Sequence, residues 1–381
     1  MVVMVIQKLL DIHKKYNFIY TIIMLVHIII IIVIILFILY TYKQLKYKIS
    51  KYYISRNSFN NIFNSNIIIL PESITAFGFD NKNYYIYNQY GIFSSELAEK
   101  RIDTFLDYWI KYIHPYILKK KYYFLLCSFD GYRERILYNN TLQKEYIKNN
   151  YKFLFHREIT NVDNKMPVMH KNEYVFCFSK HLNDSLAITV PDLWYMKQLG
   201  YHETRLKTID DNFIPFINKL NKCIYRGSKS LGSRFNFFNY KDKQINQRMY
   251  FISLYNNNKI NNMNYSDTFT SIPEQLKYKY ILDIDGHTNT WDGTVWKLYS
   301  GSVLLKVKGV WKQWYYDNMK EWVHYVPINN DFSDINEKIE WCINNDEKCK
   351  IISENARKFV KENLQFNKVT SNLCKQMNNL L

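Results

Sequence analysis

Residues 277–308 read KYKYILDIDGHTNTWDGTVWKLYSGSVLLKVK. Two apolar runs, Tyr280 to Ile284 and Val303 to Val307, flank a polar loop that leads into a short helical stretch. Short apolar runs bounded by glycine and polar residues are the pattern of strands buried on both faces. A glycine-bearing loop between a strand and a helix can turn several backbone N–H groups and a helix N-terminus toward one anionic ligand. Here Gly286 and Gly293 permit close backbone approach, His287, Thr288, Asn289 and Thr290 add polar groups, and Trp291 offers a stacking face. The loop has neither the Walker spacing nor G-x-G-x-x-G, so taken alone it also reads as an ordinary turn.

The same form recurs outward from this stretch. Tyr122 to Phe129 is an apolar run ending in Asp130 and Gly131, and NEYVFCFSK, KCIYRGS and EWVHYVP repeat it. These runs alternate with amphipathic segments, which predicts α/β layers. Ligands in open α/β sheets bind at the carboxyl ends of strands, so the polar residues there are the candidates for chemistry. In CIYRGSKSLGSR, Arg226 and Arg234 flank a Gly227-Ser228 turn after a strand. Arginines so placed can hold phosphate oxygens bidentately, and they read equally as two solvated loop arginines. Beyond residue 330 the pattern turns helical. One helix has Ser333 as its N-cap with Ile335, Ile339 and Trp341 or Cys342 inward, and a second starts at Asn345 or Asp346 with Ile351, Ile352, Phe359 and Val360 inward.

The totals narrow the class. Lysine and arginine exceed the acids by 17 over 381 residues, but the lysines are scattered, so no nucleic-acid partner is expected. The six cysteines include no C-x-x-C pair, and Cys342 and Cys349, one heptad apart, read as core-facing thiols. Residues 18–40 form an uncharged run long enough to cross a hydrocarbon core, which predicts a transmembrane helix with membrane lipid as a partner. It follows a tail, 1–17, and precedes a stem, 41–65. Lys43, Lys46, Lys48, Lys51 and Arg56 outnumber Lys8, Lys14 and Lys15 before the span, a bias toward holding the large part in the cytoplasm.

KYKYILDIDG, SGSVLLK, EWVHYVP with DFSDINEKIEW, NARKFV and YRGSKS, densest over 222–364, resemble the successive motifs of the protein O-glucosyltransferase family, the Rumi-like, KDEL-motif-containing and fungal capsule-associated group of glycosyltransferase family 90. The resemblance implies a GT-B-like fold, two Rossmann-like domains facing a cleft: 66–221 for the acceptor and catalytic base, 222–381 for the UDP-sugar donor. It implies inverting transfer without a required metal or a permanently bound cofactor, to a protein or glycan acceptor, with glucose or xylose as the sugar. The family's catalytic aspartate matches Asp130, its UDP-contacting arginines match Arg226 and Arg234, its nucleotide loop matches Gly286 to Gly293, and its small-residue turn matches Ser300 to Ser302. Chemistry suits these roles, since inversion needs one base opposite the leaving group and the departing diphosphate needs cations or amides. Where relatives carry an arginine after the glycine loop this chain has Thr294, and Lys297 is the expected substitute. Asp285 and Asp292 read as loop-shaping or ribose-contacting rather than as a metal pair, because an uncompensated carboxylate repels a diphosphate. VPDLWYMKQLGYHE matches an acceptor region, making Asp192, Trp194 and Tyr195 acceptor candidates as well as turn and packing residues. His324 reads as a satisfied strand residue rather than a base.

Family chemistry of this kind belongs in the endoplasmic reticulum or Golgi lumen, against the charge bias, and sequons at Asn139, Asn183 and Asn264 are compatible with it. Two rivals stand beside the enzyme: a degenerate relative that binds an acceptor or acts as a scaffold, and a basic binder of nucleic acid or anionic lipid at the membrane.

Overall fold

The computed structural model describes residues 29–34, 50–65, 67, 74–80, 83–88, 96–128, 133–134, 151–155, 168–170, 175–182, 187–201, 205–227, 237–240, 243–286 and 288–381. The chain divides into Met1–Ser50 and Lys51–Leu381. Of the expected span 18–40, only 29–34 is described, as helix; the rest lies outside the described residues. Among the described residues no helix is long and apolar enough to cross a membrane.

The larger unit holds two main sheets. The first has the order Ser50–Tyr53, Asn83–Tyr87, Ile74–Phe79, Tyr122–Cys127, Val175–Cys177, Ala187–Thr189. Ile74–Phe79 runs antiparallel to both its neighbours, while the last three strands are mutually parallel. The half expected to be Rossmann-like thus holds a mixed sheet, parallel over its last three strands and antiparallel where Ile74–Phe79 meets its neighbours. The cause is local: a tight turn in which Asp80 N–H donates to Asn83 O at 3.0 Å and Asn83 N–H donates to Asp80 Oδ1 at 2.7 Å. So short a connection can join only antiparallel strands.

The stem boundary at 65 is corrected too. Residues 50–53 form the edge strand, and helix Arg56–Phe63, capped by Ser55, buries Phe59 and Phe63 against Ile74, Leu125 and Val175. Two aromatics one helical turn apart are enough to dock this short helix.

The second sheet is wholly parallel, in the order Met263–Ser266, Leu220–Arg226, Tyr278–Asp283, Val303–Val307, Val326–Ile328. Successive side chains enter opposite cores: Ile281 and Leu304 pack with Val295, Leu298 and Phe359, whereas Leu282 and Leu305 pack with Ile335, Ile339 and Cys342. Burial on both faces is why these strands read as continuous apolar runs.

Helices Ile335–Asn344 and Asp346–Asn363 form as expected, with differences in detail. Asp334, not Ser333, occupies the N-cap position, and the Ser333 hydroxyl instead accepts from Asn329 Nδ2 at 3.3 Å. Ile351 is exposed. EWVHYVP is strand only from Val326, since a turn at Trp322 (φ 61°) takes residues 321–325 out of the sheet. There His324 Nδ1 accepts from the Lys320 N–H at 3.0 Å, a structural role. All six cysteines are buried and free. The terminal helix Phe366–Leu380 returns to the first half of the unit, where Thr370 bonds Tyr108 and Phe366 packs edge-on against Tyr112.

Candidate active site at the strand ends

Within the second sheet the first strand in sequence, Leu220–Arg226, lies between the second and the third, so the winding reverses between it and Tyr278–Asp283. Ligands of doubly wound sheets bind outside the strand ends at such a switch point. Arg226 and Gly227 end one of these strands and Asp283 to Gly286 end the other. Arg226 is half-buried, and its Nε is a buried donor without a partner among the described residues. A Cβ on Gly227 would meet the Tyr225 hydroxyl at 2.1 Å, so only glycine fits there.

A second arginine at this point escaped the sequence reading. Helix Gln247–Asn256 is pinned to the strand ends by Gln247, whose amide donates to Lys308 O at 3.0 Å and Asn330 O at 3.1 Å. The next residue, Arg248, donates from Nε to Asp285 O at 2.9 Å and from Nη2 to Ile284 O at 3.1 Å. A Cβ on Gly286 would sit 3.2 Å from Arg248 Nη2, so the glycine brings the guanidinium up to the loop backbone. No local signal marks Arg248, which follows an unremarkable strand-helix junction.

Lys297 and Thr294 are not where the sequence reading put them. Both are buried, and both are committed to Asp283: the Lys297 ammonium pairs with Asp283 Oδ1, and Thr294 Oγ1 donates to Asp283 Oδ2 at 2.7 Å. Thr290 Oγ1 donates to Asp283 Oδ1 at 3.0 Å, and Lys306 bridges Asp283 Oδ2 and Asp285 Oδ1, each at 3.1 Å. The correction to Lys297 is electrostatic, because a buried ammonium this close to a buried carboxylate is neutralised rather than offered to a ligand. Burial alone would raise the Asp283 carboxyl, but Lys297 and Lys306 outweigh it and hold the group far below the usual carboxylate range. Asp285 is raised by burial, which Lys306 only partly offsets. Its Oδ2 lacks a partner among the described residues, and a Cβ on Gly309 would stand 2.3 Å from it. Asp285 thus shapes the floor of the site, and Asp292 pairs at 2.9 Å with Arg205 at the start of helix Asp292–Tyr299.

The loop is clasped by strand ends of the first sheet. The buried Asn289 accepts from Ser179 Oγ at 2.5 Å and donates to Trp311 O at 3.0 Å. Its amide is thereby spent on the protein, a correction to its expected donor role. Trp291 holds a left-handed backbone (φ 54°), with its ring 5.7 Å from Phe178 and the Arg101 guanidinium 5.3 Å over it. The expected stacking face is therefore occupied by Arg101. Arg101 also donates to Ser128 O at 3.1 Å, two residues before Asp130. Strands Lys180–His181 and Trp311–Lys312 complete the junction, and Thr288 is buried within it. Asp130, Ser228, Arg234 and His287 lie outside the described residues. Among the described residues no group of three or more His, Cys, Asp or Glu could hold a metal ion.

Two acceptor candidates are corrected as well. Asp192 is fully buried as the N-cap of helix Leu193–Lys197, accepting from Trp194 N–H at 2.9 Å, Tyr195 N–H at 3.1 Å and the Tyr201 hydroxyl. Tyr195 is fully buried among Tyr201, Trp314 and Phe366, and Trp194 alone reaches the surface. Burial raises the Asp192 carboxyl to about 6. A folded pKa above the unfolded one stabilises the fold at low pH, an advantage lost as pH rises from about 4 through about 6. Asp192→Asn keeps the cap acceptor, so urea unfolding should show the native chain losing about 2 kcal/mol more than the variant between pH 4 and pH 6.5.

The family model described as Glycosyl transferase family 90 matches residues 154–380, more than half of the chain. The chain belongs to this family. Its relatives include protein O-glucosyltransferase 2 of Danio rerio, 33% identical over 89 residues, covering 23% of this chain and 18% of that protein. An uncharacterised protein, 179R, of Invertebrate iridescent virus 6 is 45% identical over 93 residues, covering 23% of this chain and 8% of that protein. The chain thus spans less than a fifth of the length of either relative. Among solved structures, a glycosyltransferase from Rickettsia africae aligns with 77% of this chain and 84% of its own at 10% identity and a TM-score of 0.34.

Proposed function

We propose that this family 90 chain is an inverting, GT-B-type glycosyltransferase that moves a sugar, glucose or xylose, from a UDP-sugar to a hydroxyl of a protein or glycan. The observation that carries the reading is the pair Arg226 and Arg248 at the switch point, beside a loop held against the strand end that leads to Asp130. In this mechanism the Asp130 carboxylate takes the proton of the acceptor hydroxyl while its oxygen attacks the anomeric carbon. The bond to UDP breaks on the opposite face, and Arg226 and Arg248 stabilise the diphosphate charge. With Lys297 and Lys306 neutralised by Asp283 and Asp285, these arginines are, among the described residues at these strand ends, the cations left for that task.

Calorimetry with UDP and UDP-glucose tests the reading. The native chain should bind both, and Arg226→Ala should weaken UDP by about 10- to 100-fold at an unchanged urea midpoint, the loss expected for a charge-assisted hydrogen bond. Absence of UDP binding by the native chain would overturn it.

Thr294 favours a second reading, a family member that binds its acceptor without turnover, since Thr294 is tied to Asp283 where the family resemblance implies an arginine. The proposal also includes anchorage through residues 18–40, with the rest of the chain in the secretory lumen. The exposed sequon residue Asn264 is where glycan attachment would be mapped.

A further inference from the structure

The strand Tyr122–Cys127 has two ends, and only one of them faces the active site. The other begins after the loop Tyr116 to Lys121, which is built unlike an ordinary solvent loop. Leu118 is 85% exposed and Tyr116 is 63% exposed, and Lys119, Lys120 and Lys121 follow, all exposed. Single exposed apolar side chains are common and need no explanation. Here, however, the backbone that presents them is fixed: Asn378 of the terminal helix accepts from the Leu118 N–H at 2.7 Å and donates to Tyr116 O at 2.9 Å. One amide therefore satisfies the Leu118 N–H and the Tyr116 carbonyl, on either side of Ile117, and fixes the backbone that presents Leu118 outward. Lys119 is tied to the last residue, donating to Leu381 O at 2.5 Å.

Beside the loop lies a cavity of about 450 Å³, lined on its apolar side by Phe63, Tyr123, Phe124 and Leu380, with Lys119 and Lys121 also in its wall. The Lys121 ammonium stands 5.7 Å over the Phe63 ring. The arrangement is an apolar tip, a run of three lysines and an apolar cavity at one end of the sheet. Apolar side chains that enter an interface next to lysines that meet anionic headgroups are the two components of peripheral membrane attachment. In sequence, the uncharged run 18–40 lies just ahead of this unit, separated from it by a basic stretch containing Lys43, Lys46 and Lys48.

We infer that the Tyr116–Lys121 loop docks on an anionic phospholipid surface, with Leu118 and Tyr116 in the interface and Lys119, Lys120 and Lys121 against the headgroups. The strand Tyr122–Cys127 separates this surface from the cleft by about 20 Å, the length of six extended residues. Docking by this end leaves the cleft facing away from the bilayer, open to an acceptor in solution. The inference does not depend on the transferase reading.

The test uses the full chain with Leu118→Cys carrying an environment-sensitive fluorophore, and Phe269→Cys, at an 87% exposed position on the other half of the unit, as the control. The six native cysteines are buried, so the introduced thiol labels selectively. The labelled chains are reconstituted into nanodiscs of phosphatidylcholine alone and with phosphatidylserine. The label at 118 should move to shorter wavelength and be shielded from an aqueous quencher in anionic discs, while the label at 269 stays accessible. Converting Lys119, Lys120 and Lys121 to Gln should abolish that shielding, because each lysine near an anionic surface is worth about fivefold in partitioning, roughly a hundredfold for three. UDP affinity should be unchanged in this variant. Equal accessibility at 118 and 269 in anionic discs would overturn the proposal. So would shielding at 118 that persists in neutral discs or in detergent, which would instead indicate a protein contact.

Discussion

Asp130→Asn is expected to lower UDP release from UDP-glucose by about 10²- to 10⁴-fold, the usual contribution of a positioned general base. The substitution preserves shape and removes only the capacity to take a proton, so UDP affinity should stay within about twofold of native. The split matters because the proposed donor site lies on the second sheet, at Arg226, Arg248 and Gly286, whereas Asp130 follows a strand of the first. Single-turnover UDP release and calorimetry on the same preparation make the comparison. A variant that binds and turns over as well as the native chain would remove Asp130 from the mechanism. A native chain that binds UDP-glucose but releases no UDP with any acceptor would favour the non-catalytic reading that Thr294 suggests.

Asp283→Ala should destabilise the fold by about 3–5 kcal/mol, the penalty for stripping a buried charge of its partner. Asp283 is fully buried and receives Lys297, Lys306, Thr290 and Thr294, so alanine strands one ammonium completely and leaves Lys306 with Asp285 alone. A second substitution distinguishes this from general damage to the core. Asp283→Asn combined with Lys297→Met removes one charge of each sign and keeps the Lys306–Asp285 pair intact. Measured against Asp283→Asn and Lys297→Met alone, the double variant should recover most of the loss, giving a coupling energy of about 2 kcal/mol or more by urea denaturation. Additive losses would mean that Lys297 is not neutralised by Asp283, which would return it to the list of cations able to meet a diphosphate.

The outcome for Lys297 shows how far sequence can reach. At three positions past Thr294 in a short helix it looked like a spare cation, and nothing local argued otherwise. Its fate is set by Asp283, 14 residues earlier, and by Lys306 across the sheet, which stands opposite Asp283 only because Tyr278–Asp283 and Val303–Val307 pair in that register. Asn289 differs from its expected donor role for the same reason, since its partners Ser179 and Trp311 come from two other segments. Asp192 reads as a polar residue in an acceptor segment, yet a carboxylate immediately before an apolar helical turn is also an N-cap signal, and the cap is what the fold uses.

The sequence by itself determined the α/β layering, the glycines at the strand ends, the two helices after residue 330 and the family, because apolar runs, caps and turn residues act over a few neighbours. Only the tertiary structure decided that the first sheet is mixed and that residues 50–65 belong to it. It alone brought Arg248 to the switch point, and it alone spent Lys297 and Asn289 on the protein rather than leaving them to a ligand. Burial decides whether a charged or polar side chain is free for chemistry, and burial is fixed by which distant segments pack over it.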